Sequence, residues 1–172
     1  AVCFAKITIK EFRQIQRERE EEQKEFDRKR NLMLSDIAHD LRTPMTTVNG
    51  YAKALADALQ KQGFKILTGG TDNHLMLIDL RGMDVSGKEL QNRCDEVYIT
   101  LNKNTVPNDP RSPFVTSGVR VGTPAITSRG LKEEDMPKIA ECIWLAATDF
   151  ENKADYIRAE VTKLCEKYPI YE

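Results

Sequence analysis

The sequence predicts an α+β fold: one long N-terminal helix, kinked near Pro44, followed by a small and mostly antiparallel sheet covered by helices. Three observations carry this. Residues 11–30 hold 14 charged residues, seven of each sign, and no Gly or Pro, a composition that favours helix. Apolar residues recur at helical spacing on both sides of Pro44. Beyond residue 63, short apolar runs alternate with Gly, Pro and Asn signals, and two amphipathic stretches close the chain. Few strands followed by terminal helices make a layered α+β arrangement.

The first helix is expected over about residues 8–62. Its early part carries i,i+4 pairs such as Glu20–Lys24 and Glu25–Lys29, with sparse apolar positions at Phe12, Ile15 and Phe26 and no clean heptad. A charged connector is the reading favoured over a coiled coil. Phe26, Met33, Ile37 and Leu41 then form a stripe, continued after Pro44 by Val48, Ala52, Leu55 and Leu59. Pro44 removes the bond to the carbonyl of Asp40 and is expected to kink the helix. Gly63 is a natural terminator.

Lys65–Leu67 and Leu75–Leu80 read as buried strands joined by Thr68-Gly69-Gly70-Thr71. Ser86-Gly87-Lys88-Glu89 forms a capping box opening a helix with Leu90, Cys94 and Val97 inward. Val97–Asn102 reads as a strand, Val106–Pro113 as a loop, and Phe114–Thr116 and Gly118–Val121 as extended. Glu133, Glu134 and Asp135 place negative charge at the start of a helix whose core face is Met136, Ile139, Ile143 and Phe150. A last helix over about 153–167 buries Ile157, Val161, Leu164 and Tyr168.

A length of 172 residues suits one domain, or a small domain with an appendage. With 31% charged and 40% apolar residues the chain is neither disordered nor a membrane protein. A net charge of -1 leaves no basic field for nucleic acid. Ala1–Ala5 could be the stub of a spanning segment, but no complete span is present. Cys3, Cys94, Cys142 and Cys165 are too far apart for a zinc site, so no metal is expected. Free thiols imply a reducing cytoplasm, with a membrane-proximal position only if a spanning segment precedes Ala1.

Residues 35–56, SDIAHDLRTPMTTVNGYAKALA, resemble the H-box of sensor histidine kinases. The resemblance covers roughly residues 28–56. It implies that His39 is a phosphoacceptor, that Asp40 orients its imidazole as acid/base partner, and that Thr43 helps position water for dephosphorylation. A neutral imidazole is a nucleophile at neutral pH, and an adjacent carboxylate fixes its tautomer. The family's ATP-binding boxes and the second helix of its dimerisation hairpin are not found, so a kinase and a response regulator would act in trans.

A longer resemblance begins near Ala52. ALADALQKQGFKILTGGTDNHLMLIDLR, ITLNKNTVPNDPRSPFVTSGVRVGTPAITSRG and CEKYPIY are similar to the C-terminal small domain of serine hydroxymethyltransferase. In Val119-Arg120-Val121 the guanidinium faces opposite to its valines, and such a group suits bidentate capture of a carboxylate. The family's SGxRxGTPA motif matches Ser117–Ala125, and the resemblance makes Arg120 the substrate-carboxylate ligand. It makes Asn104, Ser112, Pro113 and Phe114 folate contacts. The GGTDNH stretch lacks P-loop spacing and reads as a turn, His74 as a hydrogen-bonded structural residue, and Met76, Leu77 and Ile78 as core.

The resemblance also implies tetrahydrofolate and pyridoxal phosphate as cofactors. The lysine that would tether the latter sits in the family in a Thr-Thr-His-Lys context, which no lysine here has. The domain organisation expected is therefore 1–51, a charged helix with a kinase-like H-box, and 52–172, a hydroxymethyltransferase-like C-terminal domain. Three functional classes follow. The first is the small domain of a serine (glycine) hydroxymethyltransferase, inactive alone and partnered by a missing large domain. The second is a phosphoacceptor module acting through His39. The third is a structural chimera whose long helix drives homo-oligomerisation.

Overall fold

In the computed structural model the described residues are 2–170, and the side chains of residues 2–11, Arg42 and Thr43 lie outside the described set. Two compact units divide the chain, one up to Met45 and one from Thr46 onward. Helix α1, Val2–Gln62, contributes to both and continues through Pro44.

The first unit is helix alone. Lys29 pairs with Glu25 at 3.1 Å and Arg30 with Asp27 at 3.3 Å, while Glu20 and Lys24 do not pair. Both pairs are solvent-exposed, and each contributes a few tenths of a kcal/mol at most (~0.3–0.5). Phe12, Ile15, Phe26, Met33, Ile37 and Leu41 are all exposed, so the apolar stripe covers nothing within this unit.

In the second unit the same periodicity does bury side chains. Ala52, Leu55, Ala56 and Leu59 are essentially inaccessible. Gly63 ends the helix with φ +116°, and a Cβ there would sit 2.9 Å from the Trp144 ring. Phe64 N–H then donates to Leu59 O at 3.1 Å, the reach-back bond that closes a helix C-terminus. Phe64 also meets Trp144 edge-to-face, with centroids 5.0 Å apart.

Strands β1 (Lys65–Ile66), β2 (Leu75–Asp79), β3 (Asn102–Asn104) and β4 (Gly118–Gly122) form one antiparallel sheet in the order β1-β2-β4-β3. Alternation decides its faces. Met76, Ile78, Val119 and Val121 point to the core and are buried. Against them pack Leu90 and Cys94 of α2 (Gly87–Glu96), Met136, Ala140 and Ile143 of α4 (Met136–Thr148), and Ile157 and Val161 of α5 (Phe150–Lys167). Leu77 lies on the other face and is only half-buried, which corrects its reading as core.

Several local readings change. Ser86 Oγ accepts from Glu89 N–H at 3.1 Å, but Glu89 pairs with Arg93 at 2.6 Å, so half of the capping box forms. Val97 is the α2 C-cap and Tyr98 takes φ +67°. The strand expected from Val97 therefore starts only at Asn102. Phe114–Thr116 is a turn, with Val115 and Thr116 N–H both donating to Ser112 O at 3.0 and 2.9 Å. A short helix, α3 (Pro124–Arg129), follows β4. Glu133–Asp135 is a 3-10 turn before α4. Asp149, with φ −146°, breaks the chain between α4 and α5, so Phe150 opens α5. Leu164 and Tyr168 are half-buried.

Arginines hold the helix ends. Arg93 donates to Ala146 O and Ala147 O at 3.3 and 3.4 Å. Arg129 donates to Tyr168 O at 2.7 Å and Cys165 O at 3.1 Å. These are carbonyls that a helix C-terminus leaves without partners. Asp135 accepts from Lys132 N–H, Lys167 Nζ and Tyr168 Oη at 2.9, 3.0 and 2.8 Å. Cys94, Cys142 and Cys165 are free thiols, and burial pushes the Cys94 and Cys142 thiols up to about 12 and about 11. Among the described residues no helix is long and apolar enough to cross a membrane.

Candidate functional site

The site is built on β4. Val119 and Val121 face the core, so Arg120 between them projects from the opposite face and is exposed. It stands across from Leu77 of β2 and Asn102 of β3. The Arg120 side chain makes no hydrogen bond or ion pair with any described residue. A guanidinium left unpaired on a sheet face retains all five donors for an incoming acceptor.

Gly118 explains why the strand can sit there. A Cβ at this position would lie 2.7 Å from Val106 Cγ1 and 2.9 Å from both Asn104 O and Ile78 O. A side chain would force apart the three backbones that meet beside Arg120.

Arg120 and Asn104 line one cleft of about 640 Å³. Asn104 Nδ2 donates to Thr105 O at 2.8 Å, which leaves its Oδ1 as a free acceptor. Leu75 and Leu77 form the floor, α1 supplies Lys53 and Asp57, and the β1–β2 connection supplies Thr68 to Asn73 without Gly69. That connection is ordered by its own hydroxyls. Thr68 Oγ1 donates to Gly70 O at 2.6 Å and Thr71 Oγ1 to Leu75 O at 2.5 Å. GGTDNH is thus a turn, as its spacing implies, and also a wall of the cleft. His74 is exposed, its backbone O accepts from Thr123 N–H at 3.1 Å, and its imidazole makes no bond with any described residue. The expectation of a hydrogen-bonded structural imidazole is therefore not met.

The other expected contacts lie apart. Ser112, Pro113 and Phe114 are not among the residues lining the cleft. Phe114 is 80% exposed, and Lys103 Nζ ties Pro113 O to β3 at 3.2 Å. The loop before them is fixed by Asp109, whose carboxylate accepts N–H groups of Val106, Arg111 and Ser117 at 3.2, 2.9 and 2.9 Å. Burial raises its pKa, but the bonds from Ser117, Arg111 and Val106 outweigh it and hold the carboxyl well below the usual range. Asp79, at the end of β2, is buried and paired with Arg81 through both carboxylate oxygens at 2.9 and 2.7 Å. That guanidinium holds Asp79 well below the usual carboxylate range.

Sequence reasoning missed Lys53, Asp57 and the Thr68–Asn73 wall. Only the shared helical face of Lys53 and Asp57, four residues apart, hinted at them.

His39 and Asp40 lie in the first unit. Their side chains are 78% and 83% exposed, with Nδ1 and Oδ1 3.5 Å apart, at the outer limit of a hydrogen bond. The Thr43 side chain lies outside the described residues. No group of three metal-ligating side chains occurs among the described residues.

Residues 32–143, more than half of the chain, match the family model described as serine hydroxymethyltransferase. The matched span opens inside α1 and takes in His39 as well as Asn104 and Arg120.

Proposed function

Since this chain belongs to the serine hydroxymethyltransferase family, we propose that it supplies the substrate-carboxylate and folate contacts of a serine (glycine) hydroxymethyltransferase. Arg120 takes the amino-acid carboxylate in a bidentate pair, and Asn104 offers its free Oδ1 to the folate. The observation that carries this reading is the unpaired, exposed guanidinium sharing a cleft with Asn104. Ser112, Pro113 and Phe114 would meet folate only where its outer part leaves the cleft.

The family's pyridoxal phosphate supplies the electron sink for the carbon transfer. The cleft does not fit that group as a whole. Its one lysine among the described residues, Lys53, is exposed on α1, and the hydroxyls of Thr68 and Thr71 are engaged with backbone carbonyls. This supports leaving the phosphate and the tethering amine to the family's large domain. The present chain then binds and orients substrate without turning it over. The purified chain, given pyridoxal phosphate, tetrahydrofolate and serine, is expected to form no glycine above background, and appreciable turnover by it would overturn this reading.

A second reading has its own observation. The His39 imidazole is exposed, and Asp40 lies 3.5 Å from its Nδ1, an arrangement that suits a phosphoacceptor acted on by a kinase in trans. Incubation with such a kinase and labelled ATP would leave acid-labile phosphate on the chain but not on a His39→Gln variant. Label of equal amount on both would remove this reading.

A further inference from the structure

A second cavity shares no lining residue with the Arg120 cleft. It holds about 440 Å³ and lies on the core side of β4, among α3, α4 and α5. That volume falls within the roughly 300–1,000 Å³ of small-molecule sites. Leu55, Val121, Leu131 and Ile143, all buried, form its inner wall. At the rim stand Tyr98 and Ile170, exposed by 68% and 63%.

Arg129 is the one charged residue of the lining among the described residues. Its Nε and Nη2 are held by the neutral carbonyls of Tyr168 and Cys165. Among the described residues no carboxylate pairs with it, and its Nη1 has no partner. A half-buried guanidinium, fixed in place and without a counter-ion, is incompletely compensated. We infer that this cavity is a binding site for an apolar monocarboxylate, its hydrocarbon body among Leu55, Val121 and Ile143 and its carboxylate on Arg129.

The site owes nothing to Arg120, so it stands or falls separately from the transferase reading. The test is calorimetric titration of the whole chain with decanoate, below its micellar concentration, and with decanol, below its solubility limit. Decanoate is expected to bind at least about tenfold more tightly than decanol, the contribution of one charge-assisted pair. Arg129→Gln should bring decanoate down to the level of decanol. Ser128→Trp, at an exposed rim position, should abolish binding of both. Circular dichroism checks that each variant folds; if Arg129→Gln does not, the decanoate-to-decanol ratio and Ser128→Trp decide. Equal affinity for acid and alcohol, or decanoate binding that survives Ser128→Trp, would overturn the proposal in favour of adsorption to exposed apolar surface.

Discussion

Arg120 and Asn104 stand diagonally across the β3–β4 ladder, on the same face of the sheet: Asn104 pairs with Gly118, two residues before Arg120. Diagonal neighbours of this kind are about 7–8 Å apart, close enough for one ligand to touch both. The cleft they share is the physical basis of the carboxylate-and-folate reading.

Arg120→Lys is the sharpest substitution in that cleft. A lysine keeps the charge but loses the planar fork. With the family's large domain supplied, serine affinity should fall about tenfold or more, the loss of about 1.5 kcal/mol or more in a charge-assisted pair. Steady-state kinetics would show this, and the Tm should hold, because the Arg120 side chain bonds to no described residue. An unchanged affinity would detach Arg120 from the substrate.

Gly118→Ala tests the scaffold. The added Cβ meets Val106, Asn104 O and Ile78 O, and overpacking of this kind costs about 1–3 kcal/mol. Urea unfolding should show the midpoint falling with the slope unchanged.

Stability should decline on acidification. Asp79, Asp109 and Asp135 all titrate below the usual range when folded. A depressed folded pKa means that the unfolded chain binds protons first. The contribution is thus fully present above about pH 4 to 5 and is lost as pH falls further. Asp79→Asn should flatten that decline. At neutral pH it should cost about 1–3 kcal/mol through the weakened Arg81 pair, both read from thermal melts across pH.

Much of this fold was legible because its causes are local. The stripe from Val48 to Leu59, the Gly63 stop, the Ser86 cap and the outward Arg120 each follow from spacing within a few residues. What was not legible depends on distant partners. Val97-Tyr98-Ile99-Thr100-Leu101 has the composition of a strand, yet the end of α2 requires a left-handed Tyr98. Ser112–Thr116 turns because Asp109 organises the backbone on both sides of it. Lys53 and Asp57 reach the cleft only through the packing of α1 against the sheet.

The exposed residues Phe26, Met33, Ile37 and Leu41 predict association through α1. Light scattering should show mass rising with concentration, and Ile37→Glu with Leu41→Glu should return the chain towards monomer. A concentration-independent monomer would contradict helix-driven assembly.

In the proposed function, the residues around Arg120 bring the carboxylate grip and the family's large domain brings the tethered cofactor. The most direct measurement is serine-to-glycine conversion after mixing the chain with a separately produced large domain of the same family. The expected result is activity with both present, none with either alone, and none when Arg120→Ala replaces the parent chain. Conversion by the chain on its own, or an undiminished rate with Arg120→Ala, would contradict it.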